Sequence, residues 1–581
     1  MTDRGSPLPS TWIPRDLYQG PAQPAPGVLK LDGNEGNPPP RRLLEDLAAA
    51  DLSLVRDYPD ARPLESQIAE RLGVDPARVV VTAGADEALD RMFRAYLAPG
   101  RRLVLPVPAF EMMYRFAAVA GGEIQPVPWT GAFPTDDVIA ALAGDVSLVV
   151  MISPNNPTGC TATASDLERV AEAASKVDCG TAFGAMVVLD HAYVEYSDQD
   201  LTSVAQNFDN VVTVRTFSKA WGLAGCRVGY AVAAPEVATL LRNVGSPFPV
   251  AGLSLAAVRA QLKTGEAALG EHVLAVRAGR DRLTETLDRL GVETSPSQGN
   301  FVFGDFGARC DFVLNGLNAL GVRVRRFPHR PEIADSLRIT VPDHAEPLNR
   351  LLEALEICLA PQALLFGLDG VIADVEESYR RCVLETAGTF GVEVTREELA
   401  TLVLAGDANN DWVLTQRILA GRGVEASLDA VTEAYQQVYL GTSTSPGLRE
   451  SEHLLVARDV LSGLADRLPL AIVTGRPREE AEWFLEREGL TDLFQAVVCM
   501  EDGPLKPDPA PVRSAASSLG VERAWMIGDT PDDIRAAAAA GAVPIGVVAP
   551  GPDPEASAMA LREAGAATVI ATVDDLMQLL P

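Results

Sequence analysis

The chain has 581 residues, 47% apolar and 22% charged, with a formal charge of −30. That length exceeds what one hydrophobic core supports, so several modules are expected. No stretch of 18 or more residues runs apolar without charge, which predicts a soluble, cytoplasmic protein with no membrane partner; the acidity argues against nucleic acid, whose backbone rewards clustered Lys and Arg, and favours small-molecule chemistry.

Residues 1–27 are rich in proline, carry Asp3, Arg4 and Arg15, and lack the apolar core of a signal peptide, so they read as a flexible arm. From 60 to 230, helical patterns alternate with the β-branched runs 78–82, 102–105, 147–152, 186–189 and 211–216, the rhythm of a mainly parallel sheet with crossover helices. Residues 265–357 give long helical patterns around the runs 299–303 and 322–325, a smaller α+β unit whose last helix, about 346–359, ends before Pro361. Directly afterwards the apolar run 363–366 meets Gly367, Asp369 and Gly370, and a second module begins. Residues 361–581 hold 35 acids against 16 bases, so the acidity is concentrated there. The seven cysteines include no CxxC pair and no histidine at ligand spacing, and read as reduced thiols.

Thr216, Phe217, Ser218 and Lys219 follow a strand, which puts a lysine amine at the carboxyl edge of the sheet, where ligands bind in α/β folds. Alone this reads as a solvated surface lysine, but Arg227 follows eight residues later within 225–229. Asp190 ends the run 187–189, so its carboxylate can face the same cleft or cap a helix; Tyr193 comes three residues on. Asn156, within 153–159, ends another strand. Gly84, Ala85 and Asp86 open a helix after 79–82, and free amides at such a start suit a phosphate. Pyridoxal phosphate (PLP) chemistry needs an amine, a carboxylate for the pyridine nitrogen, donors to the ring oxygen and a phosphate cradle, and all four occur in chain order.

In that order, residues 28–357 resemble the fold-type I PLP-dependent transferases, and within them the histidinol-phosphate aminotransferase family of class I/II. The resemblance implies a domain over 28–360, with a large α/β part at about 60–260 and a small α+β part from 28–59 and 261–360. It makes Lys219 the cofactor-binding lysine, Asp190 the partner of the pyridine nitrogen, and Asn156 and Tyr193 the donors to the ring oxygen. Thr216, Ser218, Arg227 and the turn Gly84, Ala85, Asp86 would hold the phosphate. Phe110, in the run 108–114, falls where the family stacks an aromatic on the cofactor, although core packing is an equal alternative. Tyr58 matches a tyrosine lent to the neighbouring subunit, which implies a homodimer. Arg338 resembles the family's anion-binding arginine, Arg325 is a second donor, and Asn34 lies in a segment, 31–38, that only partly matches the family. The implied substrates are a small amine or amino acid and a 2-oxo acid, in amino-acid biosynthesis. A PLP decarboxylase, or a scaffold or phosphometabolite sensor, are the other readings.

Residues 361–581 resemble the haloacid dehalogenase superfamily of phosphatases, a Rossmann-like domain with a helical cap at about 375–449. Thr474, Lys506, Asp529 and Asp533 match its later motifs. Its first motif reads aspartate, any residue, aspartate, whereas here Gly367 stands at the nucleophile's place and Asp369 at the second acid's. Glycine cannot form an aspartyl-phosphate, so a weak or dead phosphatase is expected, with Asp374 a disfavoured substitute. The remaining site either binds phosphate or Mg²⁺, the latter weakly through Asp369, Asp529 and Asp533, or serves structure alone.

Overall fold

The computed structural model describes residues 25–443 and 445–580, so the expected arm over 1–27 falls almost wholly outside them. The chain forms two compact units, one built from Lys30–Asp305 and Val324–Leu348, the other from Pro26–Leu29, Phe306–Arg323 and everything from Asn349 on.

In the first unit seven strands form one sheet, in the order Val79–Thr82, Gly229–Val232, Val211–Thr216, Met186–Asp190, Val146–Ile152, Arg102–Val107, Glu123–Pro128. Gly229–Val232 runs antiparallel to both neighbours; the other pairs are parallel. Val146–Ile152 and Met186–Asp190 are buried along their whole length, as strands covered on both faces must be, and that is why they read as unbroken apolar runs. Within Met186–Asp190, Val188 joins one apolar cluster, with Leu89, Met92 and Met113, while Val187 and Leu189 join another, with Leu167 and Val170. The alternation follows from successive strand side chains pointing to opposite faces. The register pairs Ile152 with Asp190, Asp190 with Val214 and Thr216 with Gly229, so Asp190, Thr216 and the turn after Ile152 share one edge. A second sheet pairs Phe301–Asp305 antiparallel with Ser336–Thr340 and sets Arg338 opposite Arg325.

The second unit carries six parallel strands in the order Phe494–Val498, Leu470–Val473, Ala363–Phe366, Ala524–Gly528, Val543–Val547, Thr568–Ile570. The helices Tyr379–Thr389, Arg396–Ala405, Asp411–Gly421 and Leu428–Leu440 fall between its first two strands in sequence. Phe366 registers with Ile472 and Ile527, which brings Gly367, Thr474 and Asp529 to one edge. The core of this unit also takes in residues before the sheet begins. Trp525 is fully buried; it meets Phe312 edge-on at 5.0 Å, and its indole N–H donates to the Ile357 carbonyl at 2.8 Å. Gly316 packs so closely that a Cβ there would stand 2.8 Å from Cys358 Sγ. All seven cysteines are free. Among the described residues no helix is long and apolar enough to cross a membrane.

Candidate active site

A cavity of about 220 Å³ opens at the carboxyl edge of the seven-stranded sheet. Thr216 ends its strand, and its hydroxyl donates to Ser218 Oγ at 3.0 Å and accepts from the Ser218 N–H at 3.1 Å, a tight turn that carries the next residue, Lys219, into the cavity. Lys219 Nζ donates to the Gly33 carbonyl at 3.1 Å and lies 5.5 Å from the centre of the Tyr193 ring. Asp190 is buried and accepts from the Ala192 N–H at 3.1 Å; burial pushes its carboxyl up to about 7. The Tyr193 hydroxyl accepts from Asn34 Nδ2 at 3.1 Å and Asn156 Nδ2 at 3.4 Å.

At the start of helix Gly84–Tyr96, Arg227 Nη2 donates to Asp86 Oδ2 at 2.9 Å. Gly84 has φ +81°, and a Cβ on it would stand 2.9 Å from Arg227 Nη2. Glycine therefore lets the guanidinium close on the helix start, and the result is a cradle for a dianion lined by Ala85, Thr216, Ser218 and Arg227. A buried carboxylate with one backbone donor gains from a cation opposite it, which a pyridinium N–H provides. The residues present thus fit PLP: an amine, a carboxylate, two groups placed for a ring oxygen and an anion cradle line one cavity. Phe110 lines this cavity and also packs on an apolar cluster with Leu89 and Met113.

Arg338 lines the same cavity, where its Nη1 donates to Asn156 Oδ1 and its Nη2 to the Asp32 carbonyl, both at 2.7 Å. Arg325 Nη2 donates to Glu111 Oε2 at 3.2 Å. Asn34 is fully buried and does not line the cavity. With φ +55° it accepts from Thr340 Oγ1 at 2.8 Å and donates to Tyr193, pinning the segment that passes over Lys219. Tyr58 lies outside the cavity, 83% exposed and stacked on Phe248 at 4.7 Å between ring centres. Sequence reasoning passed over Glu111 and Gly33; the signal for Glu111 was an acid placed directly after the aromatic of the run 108–114.

In the second unit, Gly367, Asp369, Thr474, Lys506, Asp529 and Asp533 do line one cleft. Lys506 Nζ donates to Asp533 Oδ1 at 2.5 Å and to the Val473 carbonyl at 3.0 Å. Asp369 Oδ1 is gripped by Arg476, with Nε at 2.6 Å, while Arg476 Nη1 donates to the fully buried Glu452 at 2.9 Å. Burial, with Asp533 alongside, pushes Asp529 up to about 7. Among the described residues no group of three or more His, Cys, Asp or Glu is placed to hold a metal ion. The donor set does not fit Mg²⁺: Asp369 faces a guanidinium and Asp533 an ammonium. Asp374 lies outside the cleft, accepting from the Glu376 N–H at 3.0 Å and facing His453 Nε2 at 3.4 Å. Arg476 and Glu452 were not foreseen from sequence; Arg476 stands two residues past the strand end that carries Thr474.

The family described as Aminotransferase class I and II matches residues 27–355, and that described as Haloacid dehalogenase-like hydrolase matches 364–547. A histidinol-phosphate aminotransferase of Symbiobacterium thermophilum is 36% identical over 348 residues, 57% of this chain and 91% of that protein. An imidazoleglycerol-phosphate dehydratase of Phytophthora nicotianae is 42% identical over 237 residues, 38% of this chain, which spans about half (52%) of that relative's length. Among solved structures, a histidinol-phosphate aminotransferase of Sinorhizobium meliloti in complex with pyridoxal-5'-phosphate superposes with a TM-score of 0.53 at 24% identity, covering 61% of this chain and 97% of that one; the likeness shows a shared fold. With its family match, its fold and a cavity that fits the cofactor, the chain belongs to the class I and II aminotransferases, PLP-dependent enzymes, and carries a haloacid dehalogenase-like domain behind the transferase.

Proposed function

We propose that the chain moves an amino group between a small amine bearing an anionic group and a 2-oxo acid, with histidinol phosphate as the first amine to test. The observation that carries this reading is that Lys219, Asp190 and Arg338 line one cavity. The name histidinol-phosphate aminotransferase, borne by relatives at 36% and 35% identity, supports the choice of amine. When bound, PLP supplies an electron sink for negative charge at the substrate Cα. Lys219 would hold it through Nζ, and the same amine, once free, would act as the base that takes the substrate's Cα proton. Asp190 keeps the pyridine nitrogen protonated, Asn156 and Tyr193 hold the ring oxygen, and Thr216, Ser218, Arg227 and the Gly84 to Asp86 turn hold the phosphate. Arg338 takes the anionic end of the amine with its planar fork.

A homodimer completes this reading. Tyr58, Leu52, Val55 and Phe248 are exposed apolar side chains of the first unit, the composition of an interaction surface, from which Tyr58 would reach the partner's phosphate cradle. Free thiols throughout support a reducing, cytoplasmic setting. For the C-terminal module we propose no hydrolysis, since Gly367 offers no carboxylate and Arg476 holds Asp369. The test is product analysis on PLP-loaded protein with histidinol phosphate and a 2-oxo acid. Formation of the matching amino acid is expected; carbon dioxide release from amino acids without amine transfer would replace this reading with a decarboxylase.

A further inference from the structure

We propose that Asp343, oriented by His272, is a positioning residue: through Asn37 it fixes the segment 33–37 against Lys219 and so holds the lysine amine in place. The inference rests on the reading of Lys219 as the cofactor-binding lysine and deepens it. Lys219 Nζ donates to the Gly33 carbonyl at 3.1 Å. The segment also lies on the lysine's own backbone, because a Cβ on Gly36 would overlap the Lys219 carbonyl oxygen and one on Gly222 the Asn37 carbonyl oxygen. A shift of 33–37 therefore moves the acceptor that the amine meets. Neither His272 nor Asp343 lines the cavity, so their effect on the lysine passes through this segment.

Two side chains three residues apart hold two asparagines that are also three residues apart. Thr340 Oγ1 donates to Asn34 Oδ1 at 2.8 Å and accepts from the Asn34 N–H at 3.1 Å. Asp343 Oδ2 accepts from Asn37 Nδ2. His272 Nδ1 donates to the same oxygen at 2.8 Å, since a carboxylate can only accept. Burial pushes the Tyr196 hydroxyl well above its ordinary pKa, so it keeps its hydrogen and donates to His272 Nε2 at 2.9 Å. The ring is held at both nitrogens, and its Nδ1–H aims the carboxylate at the segment. The His272 and Asp343 side chains are 9% and 7% exposed, so little water competes for these bonds. His344 Nε2 also comes within 3.5 Å of Asn37 Nδ2, but it is 74% exposed and the contact is at the limit of a hydrogen bond.

The test compares full-length wild type with Asn37→Ala, Asp343→Ala and Asp343→Asn, the last keeping an oxygen where both donors converge. Hydrogen exchange of the peptide covering residues 31–38, read by mass spectrometry on the cofactor-free chain, should quicken on the order of 10-fold in both alanine variants, as loss of a charge-assisted hydrogen bond predicts. The rate at which added PLP attaches to Lys219, its aldehyde oxygen leaving as water, should fall by a similar factor, read from the growth of the bound cofactor's absorbance. Asp343→Asn should stay close to wild type in both. Asn37 is only half-buried, so its variant keeps the test decisive should Asp343→Ala fail to fold. Unchanged exchange in Asn37→Ala, or faster exchange with attachment as quick as in wild type, would overturn the proposal. No attachment in wild type would instead sink the role of Lys219, while the exchange rates still decide whether Asp343 holds the segment.

Discussion

Arg338 Nη1 donates to Asn156 Oδ1 at 2.7 Å, so the arginine proposed for the substrate's anion and the asparagine proposed for the cofactor's ring oxygen hold each other. Removing the guanidinium should therefore disturb both. Arg338→Ala is expected to lower kcat/KM for a phosphate-bearing amine by about 10 to 100-fold, the range of a lost charged hydrogen bond. It should also shift the bound cofactor's absorbance, because Asn156 loses a partner. A variant with weaker substrate binding and an unmoved spectrum would show that the two roles are independent.

Lys219→Ala should abolish turnover and covalent cofactor attachment together. Borohydride reduction followed by mass spectrometry of the digest reads the attachment directly: the peptide carrying Lys219 should gain the cofactor's mass in wild type, and no peptide should in the variant. A modified lysine elsewhere would displace Lys219 from its role.

Asp190 offers a test by pH on the cofactor-free protein. Burial raises its carboxyl from the ordinary 3.8 to about 7. Between roughly pH 4 and 7 the unfolded chain has released this proton while the folded chain keeps it, so the group lowers stability as pH rises through that window and adds no further change above it. Asp190→Asn lacks the penalty. Its thermal midpoint should gain on wild type as pH rises from about 4 to about 7 and then hold a constant lead; a gap independent of pH would mean that Asp190 does not titrate there.

Much of this site was legible because PLP chemistry needs residue types that sit at strand ends, and strand ends are the most readable places in an α/β sequence. Asp190 follows an unbroken apolar run and Thr216 and Lys219 follow a β-branched one, and the register puts the two strand ends on one edge. The strands Glu123–Pro128 and Gly229–Val232 escaped reading: one carries proline and charge, the other begins at glycine and is only four residues long. Asn34 was expected on the substrate and is instead buried between Tyr193 and Thr340, since sequence shows a polar residue and not which way its side chain turns. The grip of Arg476 on Asp369 depends on residues 107 apart and has no local pattern.

The same grip bears on the missing nucleophile. Wild-type protein should show no Mg²⁺-dependent release of phosphate from monoesters, histidinol phosphate included. Gly367→Asp should stay silent as well, because Asp369 remains bound to Arg476, and the new Cβ must push Val371 Cγ2 back from 3.2 Å. Steady phosphate release by wild type that disappears in Asp529→Asn, with amine transfer intact, would establish a hydrolase working by another nucleophile.

Trp525→Ala should cost about 3–5 kcal/mol, the range for removing a large buried aromatic. It leaves the Ile357 carbonyl without its 2.8 Å donor and Phe312 without its edge-on partner. A drop of several degrees in the unfolding midpoint, read by calorimetry, is the expected outcome; a change within error would mean that the site collapses to fill the space.

That tryptophan also decides where the chain can be cut. Phe312 falls inside the stretch matched by the aminotransferase family, and Trp525 inside the stretch matched by the hydrolase family, yet the two rings share one interior. The border between ancestries near residue 360 is not a border between interiors. Swapping the C-terminal part for another hydrolase, or discarding it to obtain a minimal transferase, would open a greasy wound on the transferase's own small helices, and any such graft must bring its own ring to close it.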